Sequence, residues 1–168
     1  MIALRPASLE DLTPCWALRT RAVAYACAAH YDADVLAAWL AAPLPERVRE
    51  LVARGGGIVA EKAGRMLGYA VLDAVSGEVD AVFVEPADHG RGIGALLMEA
   101  LDAAARAAGC ERLFLSASLN AVPFYERAGF VAIREEMYPH RSGVDIPSVF
   151  MQKRLDATPA LPVSGRVS

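Results

Sequence analysis

The sequence predicts an α/β (α+β) protein with a mixed, mostly antiparallel sheet of about six to seven strands flanked by about four helices. Three changes of hydrophobic pattern predict this class. Helical spacing in the first third gives way to alternation over residues 57–84, and a strand, helix and strand follow. The 55% hydrophobic content of 168 residues can fill one core. We expect one domain over residues 1–155 and a disordered tail over 156–168.

The first elements are a short strand and two helical regions. Residues 2–5 are β-rich, and Ser8 precedes a helix that should last to about residue 29. A second helical region covers roughly residues 34–53, with a break at the Pro-Leu-Pro triplet 43–45.

The middle of the chain predicts an antiparallel meander. The β-rich runs 58–61, 67–72 and 78–84 are separated by short segments that contain glycine, as hairpin turns often do. We therefore expect three consecutive strands that each pair with the next.

The next elements predict a crossover. Residues 92–108 carry one apolar stripe and are followed by Gly109, which is suited to end a helix. Residues 112–116 are the following strand, so the strands on either side of this helix should be parallel neighbours. A shorter helix at 120–128 and strands at 130–137 and 149–154 complete the predicted fold.

A glycine-rich loop is the sharpest chemical signal. Backbone N–H groups at a helix start lack partners and lie at the positive end of the helix dipole, so they suit a phosphate. A turn without a ligand is the alternative. The third glycine of a dinucleotide fingerprint is replaced by Leu97, and no P-loop Gly-Lys-Ser or Gly-Lys-Thr is present. The loop reads His89-Gly90-Arg91-Gly92-Ile93-Gly94-Ala95.

Composition restricts the partners. A net charge of −3 argues against nucleic acid, which needs a basic surface. The three cysteines and three histidines are scattered, so we predict no metal site. An odd number of cysteines without paired spacing, and no apolar run of membrane-spanning length, predict a cytoplasmic protein without a membrane partner. A homodimer is left open.

Two segments resemble the signatures of the GNAT family of acyl-CoA-dependent N-acyltransferases. Residues 82–97 contain Val-Phe-Val-Glu-Pro followed by the glycine loop, and residues 118–130 contain Asn-Ala-Val-Pro-Phe-Tyr-Glu-Arg-Ala-Gly-Phe. The order of the predicted elements also matches, so the resemblance covers nearly all of residues 2–154. It implies the GNAT fold, in which the strand-helix-strand crossover forms the acetyl-CoA site.

The resemblance also implies the acetyl-CoA contacts. The loop N–H groups would hold the pyrophosphate, and the backbone of the preceding strand would pair with the pantetheine arm. His89 departs from the Gln or Arg usual in the family, but its imidazole can still donate a hydrogen bond. The implied contact residues are Phe83, Val84, His89, Gly90, Arg91, Gly92, Ile93, Gly94, Ala95, Asn120 and Phe124.

Three residues are candidates for proton transfer. By the resemblance, Tyr125 would protonate the departing thiolate, although its aromatic neighbours also suit a core position. Asp80 aligns with an acidic residue frequent in relatives and is the first candidate for the base. Strand alternation places Glu78 on the same face as the reserve. A water molecule, or no dedicated base, is the alternative.

The predicted activity is acetyl transfer from acetyl-CoA to a primary amine by direct attack in a ternary complex. The acceptor is undetermined, and the negative net charge favours a small cationic amine. A protein lysine or N-terminus is another acceptor that the sequence allows. The alternative from a different class is a non-catalytic acyl-CoA-binding regulatory domain.

Overall fold

One seven-stranded sheet organises the protein. The computed structural model describes residues 1–140 and 143–155, so the predicted tail at 156–168 lies outside the described residues. The strands are β1 (Ala3–Pro6), β2 (Gly57–Lys62), β3 (Arg65–Asp73), β4 (Glu78–Val84), β5 (Arg112–Ser118), β6 (Val131–Pro139) and β7 (Asp145–Arg154). The α-helices are α1 (Leu12–Cys27), α2 (Ala33–Ala41), α3 (Glu46–Ala53), α4 (Ile93–Ala107) and α5 (Val122–Arg127).

The strands lie in the order β1-β2-β3-β4-β5-β7-β6. All neighbours are antiparallel except β4 and β5, which are parallel and are connected through α4. The predicted class, the meander and the crossover are therefore confirmed.

The described residues contain five α-helices, one more than the sequence predicts, because two prolines divide the second helical region. Ala42 and Pro45 both have extended backbone, with ψ of 134° and 146°. A proline disfavours helical backbone at the residue before it, so α2 ends before Pro43 and α3 begins after Pro45. None of the described helices combines the length and the apolar character that a membrane span requires.

Each face of the sheet has its own hydrophobic core. On β3, Ala70 and Leu72 point to the core under α4, whereas Tyr69 and Val71 point to the core under α1 and α3. This alternation follows from the two-residue period of a strand. The core under α4 also contains Tyr125, so α4 and α5 lie on the same side of the sheet.

Strand β4 contains a bulge and then separates from β5. Val71 pairs with Ala81 but Leu72 pairs with Val79, which leaves Asp80 as the extra residue of the bulge. The one register pair between β4 and β5 is Glu78 with Phe114. Beyond that pair, among the described strands, β4 is hydrogen-bonded only to β3, and β5 is hydrogen-bonded only to β7. The facing edges of β4 and β5 can therefore accept another extended chain.

Candidate active site

The glycine loop opens onto the start of α4. Gly90 and Gly92 have φ angles of 84° and 77°, which side-chain-bearing residues rarely adopt. A Cβ atom added at either glycine would meet no heavy atom within 4 Å. The N–H of Leu96 donates to the Gly92 carbonyl at 3.1 Å, so the N–H groups before it point out of the helix start. These open N–H groups fit a pyrophosphate.

The remaining loop residues divide between solvent and core. Ile93 is only 1% exposed, so only its backbone can contact a ligand. Gly94 packs against Phe124, because a Cβ atom there would lie 2.8 Å from the ring. Ala95 and His89 are exposed, and the His89 ring lies 6.2 Å from that of Tyr25.

A buried carboxylate fixes the loop from below. Asp88 is 2% exposed and accepts two hydrogen bonds of 2.8 Å from Arg65 on β3. Arg91 approaches the same carboxylate at 3.5 Å. The Arg65 hydrogen bonds hold the pKa of Asp88 below its usual value. Sequence analysis missed Asp88 and Arg65, because no local motif joins an arginine in a hairpin to a loop aspartate.

The end of β4 forms one wall of the gap. Phe83 packs its ring 5.7 Å from Tyr69 in one core, and Val84 packs against the other core. Both side chains are therefore engaged, and the backbone is what β4 offers to a ligand. This is the arrangement that the predicted pairing with a pantetheine arm requires.

The segment after β5 forms the opposite wall, and two contacts attach it to the end of α1 and to the segment that follows α1. The thiol of Cys27 donates to Asn120 Oδ1 at 3.2 Å. Burial raises the pKa of Cys27 to about 11, so the thiol keeps its proton at neutral pH. The Tyr31 hydroxyl accepts from the Leu119 N–H at 2.9 Å and donates to the Pro147 carbonyl at 2.7 Å. Sequence analysis missed Cys27 as a neighbour of Asn120.

Tyr125 is buried beside the aromatic rings of Phe124 and Phe130. The ring centroids are 5.1 and 5.6 Å away, and Tyr125 is 8% exposed. Burial raises the pKa of its phenol, which therefore carries its proton at neutral pH. A protonated hydroxyl is what a general acid needs.

The two candidate bases share one arginine. Arg47, in the first turn of α3, lies 3.3 Å from Asp80 and 3.3 Å from Glu78. It also contacts Asp73 at 3.1 Å. Both candidates therefore lie on the side of the sheet that α3 covers, opposite Tyr125. Sequence analysis missed Arg47 and Asp73 in this cluster, since a single arginine in an amphipathic helix carries no signal of its own.

The carboxylate of Glu78 differs from that of an ordinary surface glutamate. Burial raises the pKa of Glu78, although the positive charge of Arg47 opposes the effect. Three carboxylates contact a single guanidinium, so the cluster retains an excess of negative charge. Among the described residues, no group of three or more His, Cys, Asp or Glu side chains is placed to hold a metal ion.

The split sheet, with an open helix start beside it, is the arrangement expected of a protein that binds an acyl-CoA between two strands. Comparison with known families agrees. Residues 27–155 match the model of the acetyltransferase (GNAT) domain. The chain belongs to this family, as its two signatures predict.

Individual curated relatives align over shorter stretches than the family model does. A glucosamine 6-phosphate N-acetyltransferase of Trypanosoma brucei brucei is 36% identical over 61 residues, which are 36% of this chain and 42% of that enzyme. An IAA acetyltransferase of Azospirillum brasilense is 33% identical over 105 residues, which are 58% of this chain and 67% of that enzyme. The chain thus aligns with less than half of the first relative's length.

Solved structures share the whole fold. A GCN5-related N-acetyltransferase from Rhodopseudomonas palustris superimposes with a TM-score of 0.81 and 29% identity, covering 91% of this chain and 95% of that one. PaiA N-acetyltransferase of Thermoplasma acidophilum, solved with coenzyme A, gives a TM-score of 0.73 at 18% identity. It covers 92% of this chain and 99% of that one, and at this identity the likeness concerns the fold alone.

Gly92→Asp should abolish acetyl-CoA binding, because the new side chain fills the open cradle and its charge repels the pyrophosphate. Isothermal titration calorimetry measures the effect. Gly109→Asp is the matched control, since Gly109 follows the other end of α4, has a φ of 82° and also has open space at Cβ. Equal affinity in the Gly92→Asp variant and the wild type would show that the loop does not bind the pyrophosphate.

Proposed function

We propose that this domain transfers an acetyl group from acetyl-CoA to the primary amine of a small cationic molecule, by direct attack in a ternary complex. The observation that carries the proposal is the gap between β4 and β5, with the open start of α4 beside it. Tyr125 lies on one side of the sheet, and Asp80 and Glu78 lie on the other. An acid and a base on opposite sides of one gap suit a transfer between two bound substrates.

The chain's own residues supply the binding site. In the proposal, the N–H groups of residues 91–95 bind the pyrophosphate, and the open edge of β4 at Phe83 and Val84 binds the pantetheine arm. Asn120 donates to that arm with its amide N–H groups, because its Oδ1 already accepts from Cys27. When bound, acetyl-CoA supplies the acetyl group in an activated thioester.

Proton transfer is assigned to Tyr125 and to the carboxylate cluster. The hydroxyl of Tyr125 donates its proton to the leaving sulfur. Asp80 is the first choice for the base because the bulge places it where β4 begins to leave β5. Glu78 is the reserve. Its pKa is raised, but it lies where β4 still pairs with β5, away from the open part of the gap. A water molecule held by either carboxylate is the third route.

The charge of the cluster supports a cationic acceptor. Arg47 neutralises only part of three carboxylates, so a net negative field remains on the side of α1 and α3. Beside α1, whose Arg19 donates to the Trp39 carbonyl at 2.6 Å, the Tyr31 and Trp39 rings meet edge to face at 5.2 Å, and the His140 ring lies 6.5 Å from that of Trp39. Aromatic faces also attract ammonium groups. We propose these rings as the wall of the acceptor pocket.

Tyr125→Phe should lower turnover by roughly 10- to 1,000-fold, because a positioned acid is lost, and should leave acetyl-CoA affinity almost unchanged. Steady-state kinetics and calorimetry on the same preparation separate the two quantities. Tyr138→Phe, on the exposed strand β6, is the control and should match the wild type. Full turnover by the Tyr125→Phe variant would restrict Tyr125 to a packing role.

Arg47→Gln should move the acidic limb of the pH–rate profile to higher pH. Removing a positive charge raises the pKa of the neighbouring carboxyls, so the base loses activity at a higher pH as the pH falls. Arg49→Gln is the control, since Arg49 pairs with Glu46 and contacts neither candidate. Asp80→Asn and Glu78→Gln then identify the base, because only the variant that lacks it loses the limb. An unchanged limb in all three site variants would assign the proton to water.

A spermidine or aminoglycoside acceptor should be used more efficiently than a neutral arylamine at low ionic strength, and part of that advantage should disappear at high salt. The assay is release of free thiol from acetyl-CoA. Glucosamine 6-phosphate is included because a relative is named for it. Preference for the arylamine or the phosphorylated sugar at both salt concentrations would contradict the charge argument. Tight acetyl-CoA binding without turnover on any amine would favour the regulatory alternative.

A further inference from the structure

Strand β6 is a long and open edge of the sheet. It has nine residues and pairs with β7 on one side, and no strand of the described chain covers its other side. The opposite edge, β1, has four residues and ends at Pro6. Short length and proline protect an edge from pairing with another chain, and β6 has little of this protection before Pro139.

The side chains of β6 are unusually apolar for an exposed strand. Eight of its nine residues are exposed, and the ninth, Glu136, is half-buried. A soluble monomer seldom collects large hydrophobic side chains on one edge strand. The exposed large hydrophobic residues of β6 are Val131 (62%), Ile133 (46%), Met137 (56%) and Tyr138 (46%).

The charges of β6 are arranged symmetrically about its central residue, Glu135. Arg134 and Glu136 lie on one face, where Arg134 covers the Phe150 ring at 4.4 Å and lies 3.2 Å from Glu136. Ile133 precedes Arg134 in the strand, and Met137 follows Glu136. The strand therefore has a basic and an acidic residue at equal distances from its centre, with an apolar residue beyond each.

We infer that β6 pairs antiparallel with β6 of a second copy of this chain, around a twofold axis at Glu135. In this register, Arg134 of each copy lies opposite the partner's Glu136, which gives two Arg–Glu pairs across the axis. Side chains directly opposite on antiparallel strands are close enough to interact, and opposite charges there stabilise the pair. The interface is isologous, as a twofold axis requires.

This register is favoured over its neighbours. An axis at Arg134 or at Glu136 places like charges on the same face directly opposite each other and breaks the Arg–Glu pairing. An axis at Glu135 places a regular part of the strand, from Arg134 to Glu136, at the centre of the pairing. The two Glu135 side chains then face each other, but this single like-charge pair is accompanied by two Arg–Glu pairs. Each neighbouring register has a like-charge pair and no Arg–Glu pair. The irregular register of β6 with β7, between Ala132 and Arg134, lies outside the three central pairs.

Analytical ultracentrifugation of the full chain tests the dimer and its charges. The wild type should show a concentration-dependent monomer–dimer equilibrium. Arg134→Glu and Glu136→Arg should each weaken it about tenfold or more, because each places like charges opposite each other twice, and the double variant should restore it. Arg112→Glu is the matched control, since Arg112 also covers an aromatic ring, Phe114 at 4.7 Å, but belongs to β5.

Cross-linking tests the register. In a Cys110→Ser background, Glu135→Cys should form covalent dimers rapidly with a short bis-maleimide, because only the axial residue faces its own copy. Glu99→Cys, exposed on α4, should not. A monomer at every concentration would overturn the inference. So would a dimer that is indifferent to the charge reversals, or equal cross-linking at both cysteines. None of these results depends on the proposed acetyl transfer.

Discussion

The structure depends on an incomplete strand pairing. β4 and β5 are connected by a helix and begin as parallel neighbours, yet their register contains one pair, Glu78 with Phe114. Beyond it, β5 is held by β7 and β4 is held by β3. Backbone groups that face a gap inside a sheet are costly unless they find partners, so this gap calls for an extended ligand. The glycine loop, the helix start and the candidate catalytic residues are all arranged around it.

The bulge at Asp80 determines which side chains face which core. Without it, Val79 and Ala81 would lie on the same face of β4, since they are two residues apart. Instead Val79 packs under α4 and Ala81 packs under α1 and α3. The extra residue thus reverses which side chains of β4 face each core, and the bend of the bulge turns the strand away from β5. It also leaves Asp80 and Glu78 on one side, where a single arginine contacts both.

The sequence was sufficient for features that local patterns encode. Alternation predicts the meander, the apolar stripe of α4 predicts the crossover, and two signatures, at residues 82–97 and 118–130, predict the family. The prolines at 43 and 45 predict an interruption of one helical region, and in the structure they separate two helices, α2 and α3. The contacts of Arg47 and of Arg65 could not be predicted, because each joins elements that approach only in the folded sheet. Neighbours of this kind depend on geometry that a single sequence does not encode locally.

The arginine contacts compensate for the partner that β4 lacks. Arg47 of α3 contacts Glu78 and Asp80 at the start of β4. Arg21 of α1 contacts Glu85, just after the end of β4, at 2.6 Å. Arg65 of β3 contacts Asp88 in the loop that follows. The Arg47 and Arg21 side chains are 41% and 53% exposed, and exposed ion pairs of this kind each contribute only about 0–1 kcal/mol.

These arginine contacts therefore position β4 and the loop after it more than they stabilise the fold. Asp88 is 2% exposed and accepts from two guanidinium nitrogens of Arg65, a bidentate geometry that fixes direction as well as charge. The loop that presents the open N–H groups is thus held by a two-point contact. The carboxylates beside the gap are held by a more exposed and adjustable one, which leaves the proposed base free to exchange its proton.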